Sequence, residues 1–528
     1  MGSWLGRSNL NQELTAMTVK LEDAQGAPVS IDANGIVEEF KKTGKLIVPK
    51  ITEGCKLYLH FKNGPYSGFS RWEMEFEESI PVYHASFKFT GLKKSGYDFK
   101  AYNGLNEEPI QEDGSFETHR WFCNKVLPFS PELPYGDYSR ARPKLVAVAR
   151  RTTDNEAVAN WKDAIKLQCA QKMKHPFFYS DAECRAKAFE IASGSAGQWD
   201  KALAIFAFVR DSITPVEEKD FESLDNLLKT RQGSRWEIAE LLRVMFTAIS
   251  LEPDILLVRK RSDGGFDTSF PQTFSLHDPL VTFVCQGRRY VADPETRAFA
   301  LGDYPQDYFD LSGASVRYFV PEKIPKPLHE IQKLIIDQEP VAYDERKIRL
   351  RMHGSLAAEL RAAILESGSG GGLSAVQQFV RRRIGSLQVY SYQAKGVDDA
   401  EQPLDLSLKT NNPHNEVSQG DKIFRSWQSA LSIPFWFYDD FRSDAYYFPS
   451  VIRVEDNFHL PGGTGWANSP SCQNKTDALF QVYCSLETVK EGVVIHRIVD
   501  ISAGRFSTDA WHEQSKTILN MNNGSLKL

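Results

Sequence analysis

The chain has 528 residues, a length that predicts three or four domains at about 150 residues each. Its 41% hydrophobic, 25% charged and 12% aromatic residues are typical of a folded globular protein, which excludes a disordered or collagen-like chain. A net charge of −6 gives no basic field that would hold a nucleic-acid backbone, so we expect no nucleic-acid partner.

The first part of the chain predicts short β-strands separated by glycine, proline, asparagine or charged turns. The predicted strands are Met17–Leu21, Lys45–Val48, Lys56–Phe61, Arg71–Phe76 and Val82–Phe89. A succession of short strands favours two packed sheets. We therefore predict an N-terminal β-sandwich domain over residues 1–153.

Helical spacing of apolar residues replaces the strand pattern near residue 155. The predicted helices include one that begins near Ala157, Lys201–Ile213, and Arg235 to about Ser250. Three predicted strands follow them: Asp254–Arg259, Pro279–Cys285 and Arg289–Ala292. Helices followed by a sheet predict an α+β domain over residues 154–322.

The segment Pro321–Pro340 contains four prolines and predicts an interdomain connection or an extended strand. Beyond it, two helical stretches flank a predicted Ser/Gly loop at Ser367–Gly372. Short strands are predicted to the end of the chain, at Pro403–Leu408, Ile433–Phe437, Ala478–Ser485 and Gly492–Asp500. We predict a mainly β C-terminal domain over residues 323–528, within an α+β multidomain protein.

The seven cysteines occur singly, without a CxxC pair or a histidine at metal-ligand spacing. We therefore expect neither a metal site nor a cofactor. An odd count leaves at least one thiol unpaired, which fits a reducing compartment or buried free thiols, although Cys472 and Cys484 could pair.

A family resemblance lies in the central segments. Gly233–Leu242 is similar to the Gly-x-Cys-x-x-x-Ala segment that opens the catalytic helix of transglutaminase-like proteins, with Arg235 at the cysteine's position. The segment ending in His277 resembles the family's aromatic-x-His strand entry, and Tyr290–Pro294 resembles its W-x-D-P strand. The resemblance implies a papain-like fold with a remnant triad of Arg235, His277 and Asp293.

The resemblance extends outward to a bacterial subgroup with flanking N- and C-terminal β domains of unknown function. It is carried by Pro49–Phe61, Trp121–Pro143 and the region after Lys347. Relatives of this architecture are often exported, which implies the periplasm or cell envelope. However, Met1–Leu21 has no apolar signal-peptide core, and we expect no membrane span because no window approaches eighteen uncharged apolar residues. The compartment stays open.

Arg235 cannot replace a cysteine nucleophile, because a guanidinium stays protonated and has no lone pair to attack a carbonyl carbon. Ser234 with Glu237 predicts an S-x-x-E capping box, which is the favoured interpretation over Ser234 as a substitute nucleophile. We expect Arg235 to form an ion pair with Asp293 or Glu237. The alternative is that it holds the carboxylate or phosphate of a ligand.

The sequence thus predicts a catalytically inactive transglutaminase-like protein that binds a peptide, protein or glycan, with Ser234, Trp236 and Glu237 as candidate binding residues. The alternative is an active amide hydrolase or acyltransferase whose thiol lies within hydrogen-bond reach of His277. We expect the thiols Cys169, Cys184 and Cys285 to be core residues instead. In a third interpretation the β domains are the working parts and scaffold an envelope complex, while the central domain only spaces them. For the aromatic run Phe435–Phe441 the favoured interpretation is a core and edge position, and the alternative is a sugar- or peptide-stacking surface.

Overall fold

The computed structural model describes residues 14–507 and 510. Its gaps are 44–46, 64–70, 77–81, 94–95, 127–142, 150–157, 174–181, 217–222, 274–275, 295–296, 341–344, 384–386, 412–413, 420–421, 428–445, 449–450, 462–473, 477–478 and 490–491.

The chain divides into two compact units, Met1–Pro131 with Arg142–Val158 and Glu132–Ala141 with Ala159–Leu528. Sheets and helices occur together, so the predicted α+β multidomain class is confirmed. The predicted boundary after residue 153 lies close to Val158. The predicted boundary after residue 322 falls inside the second unit.

The first unit opens with a helix on a strand pair. Strands β1 (Leu14–Glu22) and β2 (Lys56–Asn63) are antiparallel, and helix α1 (Ala33–Thr43) packs on them through a cluster that includes Met17, Val19 and Phe40. Helix α1 was not predicted from the sequence. A strand was predicted at Lys45–Val48, but its described residues, 47–48, are not in a strand.

Two sheets form the rest of the first unit. One has the order β3 (Arg71–Glu75), β9 (Lys144–Ala149), β5 (Tyr97–Tyr102). In the other, β8 (Phe116–Val126) pairs with β4 (Val82–Leu92), β6 (Asn106–Glu107) and β7 (Gln111–Asp113). Met74, Phe99 and Leu145 of the first sheet share a hydrophobic cluster with Phe87, Trp121 and Cys123 of the second. Two sheets on one core are the arrangement of a β-sandwich.

The second unit begins with helices and two short strands. In chain order these are α2 (Trp161–Met173), α3 (Ala182–Ala192), α4 (Gln198–Ser212), β10 (Thr214–Pro215), α5 (Leu224–Thr230), β11 (Gln232–Gly233) and α6 (Arg235–Ala248). Every residue of α6 from Trp236 to Leu242 is buried. A helix buried on all sides lies in the centre of a core.

A five-stranded sheet receives helix α6. It has the order β14 (Arg288–Ala292), β13 (Asp278–Cys285), β12 (Asp254–Val258), β15 (Ser312–Ser315) and β16 (Pro321–Lys323), with every neighbouring pair antiparallel. Phe246 of α6 lies 4.9 Å from Phe283 of β13, centroid to centroid. Short 3-10 turns at Arg261–Asp263 and Gln306–Tyr308 follow β12 and β14.

An eight-stranded sheet dominates the rest of the unit. Its order is β19 (Val389–Lys395), β20 (Leu404–Asn411), β18 (Glu345–Met352), β17 (Ile331–Pro340), β24 (Val451–Pro461), β27 (Gly492–Ile501), β26 (Phe480–Val489) and β25 (Lys475–Thr476). Helices α7 (Ser355–Glu366) and α8 (Gly368–Arg383) contribute Leu356, Leu360 and Val376 to its core. The remaining strands pair as β21 (His414–Gln419) with β22 (Lys422–Trp427), and β23 (Tyr446–Phe448) with β28 (Gly504–Phe506).

One prediction for this region is wrong, and two others concern residues outside the described ranges. The predicted Ser/Gly loop at Ser367–Gly372 is wrong, because α8 begins at Gly368 and includes the remaining glycines. Glycine serves packing there, since a Cβ at Gly372 would overlap the hydroxyl of Tyr392. The aromatic run Phe435–Phe441 and the predicted strand Ile433–Phe437 lie outside the described residues.

Within the ranges given above, none of the helices combines the length and apolar character needed to cross a bilayer.

The substitution Gly313→Ala tests the packing of β15 against β12. A Cβ at Gly313 would lie 2.7 Å from Val258 Cγ1 and 2.8 Å from the backbone oxygen of Leu257. Overpacking of this kind costs about 1–3 kcal/mol, so the free energy of unfolding in urea should fall by that amount. Gly194→Ala is the matched control, because nothing lies within 4 Å of its Cβ position. Equal stability of the two variants would contradict this packing.

Candidate functional site

The start of helix α6 is fixed by its cap. Ser234 Oγ accepts the backbone N–H of Glu237 at 3.3 Å, and Glu237 Oε2 accepts the backbone N–H of Ser234 at 2.5 Å. The predicted capping box is confirmed. Because Ser234 and Glu237 are used in it and Glu237 is buried, neither is presented as a nucleophile or a ligand contact. Trp236 is only 6% exposed, which does not support its predicted binding role.

Arg235, the first residue of α6, forms an ion pair across the site. Its Nη1 donates to Oδ1 of Asp278, the first residue of β13. The Arg235 side chain is 30% exposed, whereas that of Asp278 is 6% exposed. The expectation of an ion pair at Arg235 therefore holds, but the partner shown is Asp278 rather than Asp293 or Glu237. Asp278 lies where β13 begins, beside the start of α6, and the Glu237 carboxylate serves the cap.

Tyr308 is a second hydrogen-bond donor to the Asp278 carboxylate. Its hydroxyl donates to Asp278 Oδ2 at 2.7 Å, and Tyr308 itself is 1% exposed. Both carboxylate oxygens thus accept charged or hydroxyl donors, which stabilises the ionised acid inside the protein. The sequence analysis missed Tyr308, because it lies far along the chain from Asp278 in no recognisable motif.

His277 lies beside the ion pair with most of its ring in solvent. Its side chain is 73% exposed, and Nδ1 is 3.6 Å from Asp278 Oδ1. A general base in a papain-like site is held between the nucleophile and an orienting carboxylate. The structure holds Asp278, not His277, against the Arg235 position.

Asp293 follows β14 and is 3% exposed. Val281 of β13 pairs with Ala292, the last residue of β14, so Asp293 lies directly after this ladder. The contact shown at Arg235 is with Asp278.

The free thiols near this core are poor nucleophiles. Burial, with the charge of Glu240, raises the pKa of Cys169 to about 12, and burial also raises the pKa of Cys285. Cys285 ends β13, about 23 Å from Asp278 at the rise of an extended strand. Cys184 is buried and donates to Asp225 Oδ1 at 3.7 Å. The expected core positions of these thiols are confirmed.

Two further expectations concern a disulfide and a metal site. Cys484 is disulfide-bonded, and its expected partner Cys472 lies outside the described residues. Across the described ranges, no group of three or more His, Cys, Asp or Glu side chains is placed to hold a metal ion.

Comparison with known proteins shows a fold but no family. No protein-family model and no curated protein matches the chain. A crystal structure from Parabacteroides distasonis, described as a "putative protease", is 13% identical and matches at a TM-score of 0.53 over 97% of this chain and 87% of that chain. Another, from Cytophaga hutchinsonii and described as a "putative cysteine protease", is 10% identical over 42% of this chain and 74% of that chain. Its TM-score of 0.19 is too low to carry an argument.

At such identity the likeness shows the fold alone.

A double-mutant cycle tests the Arg235–Asp278 pair. Arg235→Met should lower the free energy of unfolding by about 1–3 kcal/mol, because among the described residues it leaves the buried carboxylate with Tyr308 as its hydrogen-bond donor. The loss should be smaller when Asp278→Asn is already present. Lys229→Met is the control, since Lys229 and Glu183 form an exposed pair expected to contribute less than about 1 kcal/mol. Additive effects of Arg235→Met and Asp278→Asn would contradict the pairing.

Proposed function

We propose that this protein is a catalytically inactive transglutaminase-like protein that binds a peptide, protein or glycan. The observation that carries the proposal is the ion pair between Arg235 and Asp278 at the start of helix α6. It lies at the position where a papain-like enzyme needs a thiolate and its general base.

The chemistry of acyl transfer requires an electron pair at that position. A cysteine thiolate attacks the amide carbonyl carbon, and an imidazole carries the proton to the leaving amine. The Arg235 guanidinium stays protonated and has no lone pair to give. The Asp278 carboxylate is engaged by Arg235 and Tyr308, so it is not free to take a proton from a nucleophile.

The polarity of the pair is also reversed. In a papain-type site the helix N-terminus, with its partial positive charge, stabilises a thiolate that faces an imidazolium. Here the cation is on the helix and the anion is on the strand. Because a helix N-terminus disfavours a cation, Asp278 is the counter-charge that allows Arg235 to lie there.

A binding role is supported by what the site leaves in solvent. The His277 ring is 73% exposed, and the Arg235 side chain is 30% exposed beside it. Imidazole and guanidinium groups donate hydrogen bonds to carbonyl, carboxylate and hydroxyl oxygens. Peptides and glycans both present such oxygens, which is why the proposal keeps these classes of ligand together.

The competing function is an active cysteine-dependent amide hydrolase or acyltransferase. It is favoured by the description of the structural neighbour as a protease, but at 13% identity that likeness concerns the fold. The described thiols of this core do not support it, because Cys169 has a pKa of about 12 and Cys285 ends β13 far from Asp278.

A turnover assay separates the two functions. We expect the unmodified protein, reduced and at neutral pH, to leave a glutamine-containing peptide and a primary amine unchanged by mass spectrometry. Neither hydrolysis nor amine incorporation should exceed that of heat-denatured protein. Turnover that disappears in His277→Ala would overturn the proposal, because it would place an active thiol beside that ring.

The reactivity of an introduced thiol tests whether positions 235 and 278 face each other. In Arg235→Cys the neighbouring Asp278 charge should raise the pKa of the new thiol, whereas in Arg235→Cys with Asp278→His an imidazolium should lower it. Alkylation by iodoacetamide at pH 6.5 should therefore be about tenfold faster in the double variant, or more, since each pKa unit is a factor of ten in thiolate. Equal rates in the two variants would show that positions 235 and 278 do not face each other.

A further inference from the structure

A small polar cavity lies within the second unit, between the part built on the five-stranded sheet and the part built on the eight-stranded sheet. Its volume of about 30 Å³ is enough for one or two water molecules. Charged and titratable side chains line it: Asp303, His329, His353, Arg361 and Glu401. We call this cavity and its lining the joint.

Glu401 ties one side of the joint to the other. Its Oε1 accepts the backbone N–H of Leu301 at 3.2 Å and Nη1 of Arg210 at 3.1 Å, both from the five-stranded part. Arg361 of α7 holds the loop that carries Glu401, because its Nε donates to the Gly396 oxygen at 2.7 Å and its Nη2 donates to the Gln402 oxygen. The position of Glu401 is thus fixed from both sides.

His329 binds the other edge of the joint. Its backbone N–H donates to Asp303 Oδ1 at 3.0 Å, and its ring Nδ1 lies 2.6 Å from Asp303 Oδ2. Asp303 is 4% exposed, so the buried carboxylate is balanced by a neighbour that carries charge only when protonated.

The segment Asp303–Tyr308 runs from the joint to the Arg235–Asp278 pair. At one end Asp303 holds His329, and at the other end Tyr308 donates to Asp278. Between them Gln306 Nε2 donates to Ser355 Oγ at 2.5 Å, at the start of α7. One short segment therefore contacts both the candidate site and the C-terminal part of the unit.

We propose that the joint is a pH-sensitive switch in which protonated His329 fixes the Asp303–Tyr308 segment. Loss of that proton releases the segment and loosens the hold of Tyr308 on Asp278. The switch concerns the conformation of the protein alone, so it does not depend on what the cleft binds or whether the site is inactive.

The direction of the pH effect follows from the groups that face His329. The hydrogen bond to Asp303, and after it the charges of Asp303 and Glu401, raise the pKa of His329 against the lowering effect of burial. A raised pKa in the folded state contributes stability that is complete below the unfolded value near 6.5. That contribution is lost as the pH rises through the folded value.

The pKa values of the other titratable groups of the joint are shifted in different directions. Burial raises the pKa of Glu401, so its contribution also falls as the pH rises, but from a lower starting pH. Burial lowers the pKa of His353, with smaller effects from His329 and nearby cations, so its contribution is lost as the pH falls. Arg361 and Arg210 stay charged throughout. Among the described groups of the joint, His329 is therefore the one whose loss of charge above pH 6.5 lowers the stability of the folded state.

Hydrogen exchange on the full-length protein tests the proposal. After correction for the intrinsic pH dependence of exchange, raising the pH from 6 to 9 should reduce the protection of the backbone amides of residues 303–308, apart from Pro305, which has no N–H. The reduction should be about tenfold for each unit by which the folded pKa of His329 exceeds its unfolded value. In His329→Gln, which keeps a donor but cannot titrate, the protection of this segment should be the same at both pH values.

Two further variants keep the test decisive. Asp303→Asn removes the carboxylate that holds the proton, so it should abolish the pH dependence even if His329→Gln folds poorly. His60→Gln, at an exposed position of β2 in the first unit, should retain the wild-type pH dependence. The proposal is overturned if protection of residues 303–308 in the wild type does not change with pH, or if His329→Gln and Asp303→Asn change as the wild type does.

Discussion

The ion pair of Arg235 with Asp278 is the interaction on which the candidate site depends. A guanidinium at a helix N-terminus is electrostatically unfavourable, and a carboxylate that is almost fully buried is costly to desolvate. Each charge offsets the unfavourable free energy of the other, and Tyr308 supplies a second hydrogen-bond donor to the carboxylate. In the proposed function, the same pair fills the place where a papain-like enzyme would hold a nucleophile and its base. The proposed lack of acyl-transfer chemistry and the local stability of the site therefore have one cause.

The surrounding fold fixes this pair from three directions. The capping box holds the first turn of α6, the ladder between β12 and β13 sets the start of β13, and the Gln306–Tyr308 turn brings Tyr308 beneath Asp278. That turn continues into Asp303 and its partner His329 at the joint. The part built on the five-stranded sheet and the C-terminal sheet thus share a short polar segment, and one continuous stretch of backbone connects the two sides.

Periodic and local features of the sequence were enough to predict much of the second unit. The helix from Arg235, its capping box and three of the five strands of the five-stranded sheet (β12, β13 and β14) follow from apolar spacing and an S-x-x-E motif, both of which are local. The partner of Arg235 was not predictable in this way. His277 and Asp278 are adjacent in sequence, and only the tertiary placement of the start of β13 beside the start of α6 decides which of them pairs with Arg235. Tyr308 and the joint depend on tertiary contacts between distant segments, which leave no pattern in the chain.

The central claim, that the site holds no working thiol, is tested most directly by covalent capture on the unmodified protein. The folded, reduced chain would be treated with a peptide carrying an iodoacetamide group in place of the scissile amide, and the intact mass would be followed. The account predicts no stoichiometric adduct on Cys169, Cys184 or Cys285 under conditions in which the unfolded chain is alkylated, because these free thiols are buried. One adduct on a single cysteine that is lost in His277→Ala would contradict it, and would identify the nucleophile of an active enzyme.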